Sequence, residues 1–127
     1  MTLANKELIV FDGGFGTGLQ SLELDPSAFG EGCYVGCNEY LNLSSPDAVI
    51  QVHKGFLDAV CDVIETNTFG ASKIVLDEYG LADRVEEINT VAVENARKAI
   101  GDTNDRYIVG SIGPGTRLPC LGQISFD

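Results

Sequence analysis

Three short apolar runs, each stopped by small or polar residues, constrain this chain more than any other feature. Leu8-Ile9-Val10-Phe11 ends in Asp12-Gly13-Gly14. Val63-Ile64 ends in Glu65-Thr66-Asn67-Thr68, with Phe69-Gly70 following. Tyr107-Ile108-Val109 ends in Gly110-Ser111-Ile112-Gly113-Pro114-Gly115. Runs this short, with no alternation, suit strands buried on both faces, as in a parallel sheet. The residues that stop them suit loops carrying function at the strands' C-terminal ends.

Helical patterns fill the intervals. Ser45-Pro46-Asp47 offers an N-cap hydroxyl, a proline where its missing N–H costs nothing, and an acid at the positive helix end. Val49, Ile50, Val52, Phe56, Leu57 and Val60 then form an apolar stripe, while Gln51, Lys54 and Asp58 are expected to face water. A second helix is predicted from about Ala82 to Ile100, with Val85, Ile88, Ala92, Ala96 and Ala99 at spacings of three and four and Gly101 as a left-handed stop. A shorter helix begins near Thr17 and takes in Leu19 and Leu22. Residues 24–44, with Pro26, Gly30, Gly32, Gly36 and two cysteines, read as a long excursion over one end of the sheet. No low-complexity linker divides the chain, so residues 1–127 are expected to form one domain.

Strand, helix, strand, helix, strand with long connections fits either a doubly wound sheet or a β/α barrel. A barrel needs eight such units and typically ~250 residues, so on that reading the chain holds about the first three. A three-stranded parallel piece would leave two bare edges and an uncovered face. The domain is therefore expected to be incomplete.

Charge excludes several partners. Nineteen acidic residues against eight basic ones give a net charge of −11, a field that repels phosphate polymers and anionic lipid, so neither nucleic acid nor membrane is an expected partner. No apolar run approaches the ~20 residues of a membrane span. Met1 to Glu7 lacks the basic-then-apolar pattern of a secretory leader, and a cytoplasmic setting follows as the expectation. Cys33, Cys37, Cys61 and Cys120 then read as reduced thiols. Cys33 and Cys37 have three residues between them, and no second pair or neighbouring histidine completes a zinc knuckle.

Gly14-Phe15-Gly16-Thr17-Gly18 follows a strand and precedes a helix, as a dinucleotide fingerprint does. That fingerprint needs its third glycine three positions after the second, where Leu19 stands, and no Walker lysine follows. A nucleotide-binding α/β module is thus the weaker rival reading. The glycines still let backbone approach a ligand and point N–H groups at an anion such as a carboxylate, or else they simply form a tight turn. Asp12, at the end of a buried strand, needs a polar partner or an incoming cation. Glu65 and Asn67 hold the matching place after the second run. In a barrel these positions converge on one mouth; the alternative is that Asp12 and Glu65 only cap local loops.

The residues themselves carry a resemblance. Asp12-Gly13-Gly14-Phe15-Gly16-Thr17 is similar to the opening motif of the homocysteine S-methyltransferase family. Gly36-Cys37-Asn38-Glu39-Tyr40-Leu41, then Ser45-Pro46-Asp47 and His53, resembles its second block. Glu65-Thr66-Asn67-Thr68-Phe69-Gly70-Ala71 resembles its most recognisable signature, and Gly110-Ser111-Ile112-Gly113-Pro114 the block at the third strand. The matches fall in order from about residue 8 to 127. Leu118-Pro119, Leu121-Gly122 and Ser125-Phe126-Asp127 look most like the branch of cobalamin-dependent methionine synthases.

The resemblance implies the N-terminal portion, about three β/α units, of a TIM (β/α)8 barrel that binds homocysteine and zinc at its C-terminal mouth. It implies a methyltransferase as parent protein, forming methionine from homocysteine through a zinc-bound thiolate. The family's zinc ligands are cysteines on later strands, beyond residue 127, so no cysteine here is assigned to the metal and the isolated chain is expected to be inactive. Cobalamin and methyltetrahydrofolate would belong to other modules, which together with the rest of the barrel are the implied partners. By the same resemblance Asp12 would pair with the homocysteine ammonium, and N–H groups around Gly13, Gly14, Phe15 and Gly16 would take its carboxylate. Glu65, Thr66 and Asn67 would line the mouth, with Ser111 a further contact. Betaine or S-methylmethionine as donor, or a non-catalytic fragment of the domain, are the alternatives.

Overall fold

A computed structural model describes residues 3–125. The sheet at its centre is parallel, as continuous apolar runs require. β1 (Val63–Glu65) pairs with β2 (Tyr107–Val109), Val63 opposite Tyr107 and Glu65 opposite Val109. On the other side of β1 the run Leu8–Phe11 lies parallel to it. Val10 O accepts from Asp62 N at 2.7 Å and from Val63 N at 3.2 Å, Asp12 N donates to Val63 O at 2.9 Å, and Phe11 bridges Val63. The three runs therefore stand side by side in the order first, second, third, with all C-terminal ends at one edge.

Only the middle run meets the expectation of burial on both faces. Val63 and Ile64 are fully buried, whereas Leu8, Ile9, Val10 and Phe11 are 75%, 39%, 43% and 51% exposed. The first run makes a single bridge and no regular strand, and among the described residues no second strand or helix covers it.

Helices pack against β1 and β2. α1 spans Phe15–Gln20, α2 Leu41–Ser44, α3 Pro46–Asp58, α4 Lys73–Asp77 and α5 Val85–Ile100. Cys61 and Ile64 from β1 and its lead-in meet Ala96 of α5, with Phe56, Leu57, Ile100 and Ile108 packed around them. Leu19, Leu41, Val49 and Val52 join α1, α2 and α3 in a second cluster, and Cys37, Ala71, Leu76, Leu81 and Ile88 form a third beneath the long excursion. Fully burying Ile88 contributes roughly 2–3 kcal/mol.

Four details of the helices differ from expectation. Ser45 is the N-cap of α3, but its hydroxyl makes no cap bond; its carbonyl instead accepts from Ala48 N and Val49 N. Val60 does not extend the apolar stripe. It lies past the helix end at φ +68° and 67% exposed, where Val60 N bonds Leu57 O and Cys61 N bonds Phe56 O. That is a left-handed stop, made here with a β-branched residue in place of the usual glycine. Gly101 ends α5 as expected with positive φ, but at ψ −140° it is more extended than the left-handed helical region. The short α4, capped by Ser72 Oγ on Val75 N, escaped the sequence reading because five residues are too few to show a period. Among the described residues no helix is long and apolar enough to cross a membrane.

Candidate functional site

Parallel strands bring their terminal residues to one rim, and here the side chains stitch the rim together. Asp12 Oδ2 accepts from Glu65 N at 2.8 Å, tying the first strand end to the second. Ser111 N donates to Thr66 Oγ1 at 3.3 Å, and Thr68 Oγ1 donates to Ser111 O at 2.8 Å, tying the second to the third. Gly113 N adds a bond to Phe69 O, and a Cβ on Gly113 would stand 2.5 Å from that oxygen. Such an approach only glycine allows.

Beside this rim lies a cleft of about 300 Å³ lined by Gly13, Phe15, Gly16, the segment 65–69 and Ser111, with Asn38 and Glu39 opposite. Seven of the nine expected site residues line it. Asp12 and Gly14 do not. Asp12 sits beside the cleft through its bond to Glu65; Gly14 serves the turn into α1, its carbonyl taking Thr17 Oγ1 at 3.1 Å and Gly18 N at 3.0 Å. A larger hollow of about 830 Å³ between α1 and α3 shares no lining residue with the cleft.

The electrostatics of the cleft favour a cation. Its lining carries two acids, Glu39 and Glu65, and no lysine, arginine or histidine. Burial raises the Asp12 carboxyl above its usual range; the Glu65 N–H works against that shift and the Glu65 carboxylate adds to it. Asp12 Oδ1 is buried with no hydrogen-bond partner among the described residues. An unpaired buried carboxylate oxygen beside a second acid is stabilised by an incoming ammonium group.

Asn38, Glu39, Thr68 and Phe69 line the cleft without having been singled out for it. Glu39 Oε1 accepts from Gly70 N at 2.7 Å, and a Cβ on Gly70 would stand 2.9 Å from that oxygen. Their place in the Gly36–Leu41 block of the resemblance is the available signal for Asn38 and Glu39. Asn67 lines the cleft as expected, but its side-chain nitrogen is engaged by Asn38 O at 2.8 Å and Asn42 Oδ1 at 3.4 Å. Behind Phe15 stands His53, fully buried, with ring centroids 4.7 Å apart and both nitrogens unpartnered among the described residues. Burial lowers its pKa to about 4, so the ring is neutral.

All four cysteines are free. Burial pushes the Cys37 thiol up to about 11 and also raises Cys61, so neither is an activated nucleophile. No three His, Cys, Asp or Glu side chains among the described residues stand close enough to hold a metal ion.

The family model for homocysteine S-methyltransferase matches residues 9–127. The methionine synthase of Mycobacterium tuberculosis is 35% identical over 130 residues, covering 99% of this chain and 11% of that protein. That of Mycobacterium leprae is 37% identical over 129 residues, covering 98% and 10%. The chain thus spans about a tenth of the length of these relatives. Its fold is similar to that of the metallated homocysteine methyltransferase MmuM from Escherichia coli, with a TM-score of 0.70, 19% identity, and coverage of 88% of this chain and 40% of that one. The Asp12 and Glu65 motifs and the strand ends they occupy all fall inside the matched span, and the chain belongs to the homocysteine S-methyltransferase family.

Proposed function

We propose that this chain is the N-terminal portion, about three β/α units, of a (β/α)8 barrel that binds homocysteine for methylation to methionine. The observation that carries the reading is the joined rim: three strand ends linked by Asp12, Thr66 and Ser111 around a small acidic cleft. Asp12 and Glu65 take the substrate ammonium, which neutralises two neighbouring carboxylates in a desolvated setting. The N–H groups of the first turn of α1 have no partner within the helix, and with Gly13 and Gly16 they suit the substrate carboxylate. Phe15 and Thr66 flank the carbon chain between those two handles.

Methylation of a thiol proceeds through the thiolate, which zinc supplies by deprotonating a bound thiol. The residues present do not fit that ion. Cys33 and Cys120 are exposed on separate segments and Cys37 and Cys61 belong to different core clusters. The zinc ligands, and the cobalamin and methyltetrahydrofolate modules that supply the methyl group, are assigned to other parts of the parent enzyme. The relatives being methionine synthases favours that donor over betaine or S-methylmethionine. This chain holds the amino acid and does not by itself catalyse transfer. We place the reaction in the cytoplasm, where four free thiols persist.

The test is calorimetric titration of homocysteine into the parent enzyme and its Asp12→Asn variant. Loss of a charged partner is expected to weaken binding by about 1.5–3 kcal/mol, or roughly 10- to 150-fold, with zinc content unchanged. Affinity should also fall with acid as the raised Asp12 carboxyl takes up its proton. An unaltered dissociation constant in Asp12→Asn removes Asp12 from the site.

A further inference from the structure

Three buried asparagines connect the helical layer to the cleft. Asn95 sits in α5 and Asn42 in α2, both fully buried, and Asn67 follows β1 at 5% exposure. Asn95 Nδ2 donates to Asn42 O at 3.0 Å. Asn42 Nδ2 donates to Asn67 O at 2.8 Å. Asn67 Nδ2 returns bonds to Asn38 O at 2.8 Å and Asn42 Oδ1 at 3.4 Å. The bonds run from α5 through α2 to both walls of the cleft. A buried amide donor is costly to leave unpaired, so these N–H groups hold their acceptors at fixed separations; Asn95 Oδ1 has no partner among the described residues.

The walls have little else between them. Residues 38–39 form one side and residues 65–69 the other, and among the described residues the further hydrogen bond joining these segments is Gly70 N to Glu39 Oε1. The side-chain nitrogen of Asn67 bonds Asn38 O on the opposite wall and Asn42 Oδ1 in α2. Its amide nitrogen is therefore a brace, with nothing left to offer a ligand.

We infer that Asn42 and Asn95 are positioning residues, which hold the Thr66–Thr68 segment against Asn38 and Glu39 and so set the width of the cleft. Its bearing on substrate rests on the homocysteine reading above; the brace itself does not. Neither residue touches the cleft. Both act through Asn67, by carbonyls and amides that apolar side chains of the same size cannot replace.

The experiment uses Asn42→Leu and Asn95→Leu in the parent enzyme, with Ile88→Val, a buried α5 substitution outside the asparagine bonds, as control. Each Leu keeps roughly the size and removes the amide donor and acceptor together. Amide hydrogen exchange should quicken at Thr66, Thr68 and Gly70 in both Leu variants and stay as in the unaltered protein in Ile88→Val. In homocysteine titration the Leu variants should bind about tenfold more weakly, the ratio that loss of one hydrogen bond gives, and the double variant should cost less than the two singles combined. Asn95→Gln, which restores a donor, should recover part of the loss. Unchanged exchange at 66–70 overturns the inference, as does equal loss of affinity in Ile88→Val. Quickened exchange in an enzyme that binds no homocysteine leaves the brace standing and removes the substrate reading instead.

Discussion

His53 shows how a single residue can be legible in position and misleading in chemistry. Its place in the second block and in α3 follows from the sequence, and an imidazole near a candidate site invites a catalytic role. The structure gives it Phe15 for a neighbour and no hydrogen-bond partner among the described residues. The consequence is a pH dependence. The unfolded chain takes up the imidazole proton near pH 6.5, while the folded chain refuses it until about pH 4. Its contribution is intact above pH 6.5, declines as the pH falls, and is gone below about pH 4. The scale is on the order of 3 kcal/mol. Asp12 works with the opposite sign, since its raised carboxyl is protonated more readily in the folded chain. His53→Leu is expected to flatten the urea midpoint across that window and to leave the pH 7 value equal or higher. A midpoint that still drops just as steeply would show that His53 is not the group responsible.

At the scale of elements, legibility followed length. α3 and α5 were read from apolar spacing, and Ile88, Ala92 and Ala96 do form the buried face of α5. The parallel pairing of β1 and β2 was read from unalternated apolar runs. What escaped has a physical reason in each case: α4 is shorter than two turns, and Val60 carries an apolar side chain at a position chosen by backbone conformation. The cleft was half legible, because strand ends can be found from their own sequence. The opposing wall of Asn38 and Glu39 comes from an irregular excursion whose course only tertiary contacts determine. One element invites improvement. Gly55 lies inside α3, is exposed, and a Cβ there would meet nothing within 4 Å. Gly55→Ala should raise stability by about 0.5–1 kcal/mol through helix propensity alone, read as a higher thermal midpoint. A lower midpoint would mean that the methyl group is not in open space.

On the scale of the whole molecule, apolar surface is distributed where a closed barrel would bury it. Leu8 to Phe11 lie open along the outer side of the first run, and Phe69 and Ile112 stand 64% and 91% exposed at the rim. Val10 N bonds Asp62 Oδ2 and Val10 O serves β1, so one face of the run is paired. In an extended chain alternate N–H groups point the other way, and among the described residues Ile9 and Phe11 find no acceptor there. Such an edge is a template for another strand. If the parent closes as a (β/α)8 barrel, its last strand must pair with this one, because closure leaves no edge. Amide exchange at Ile9 and Phe11 is therefore expected to be fast in the isolated chain and slowed at least about tenfold in the parent enzyme, the ratio that one added hydrogen bond of ~1.4 kcal/mol would give. Exchange at Ile64, already internal to the sheet, reports global stability alone and separates the two causes. Should Ile9 and Phe11 exchange as fast in the parent as in the isolated chain once that difference is subtracted, the first strand is not closed upon, and the barrel reading fails.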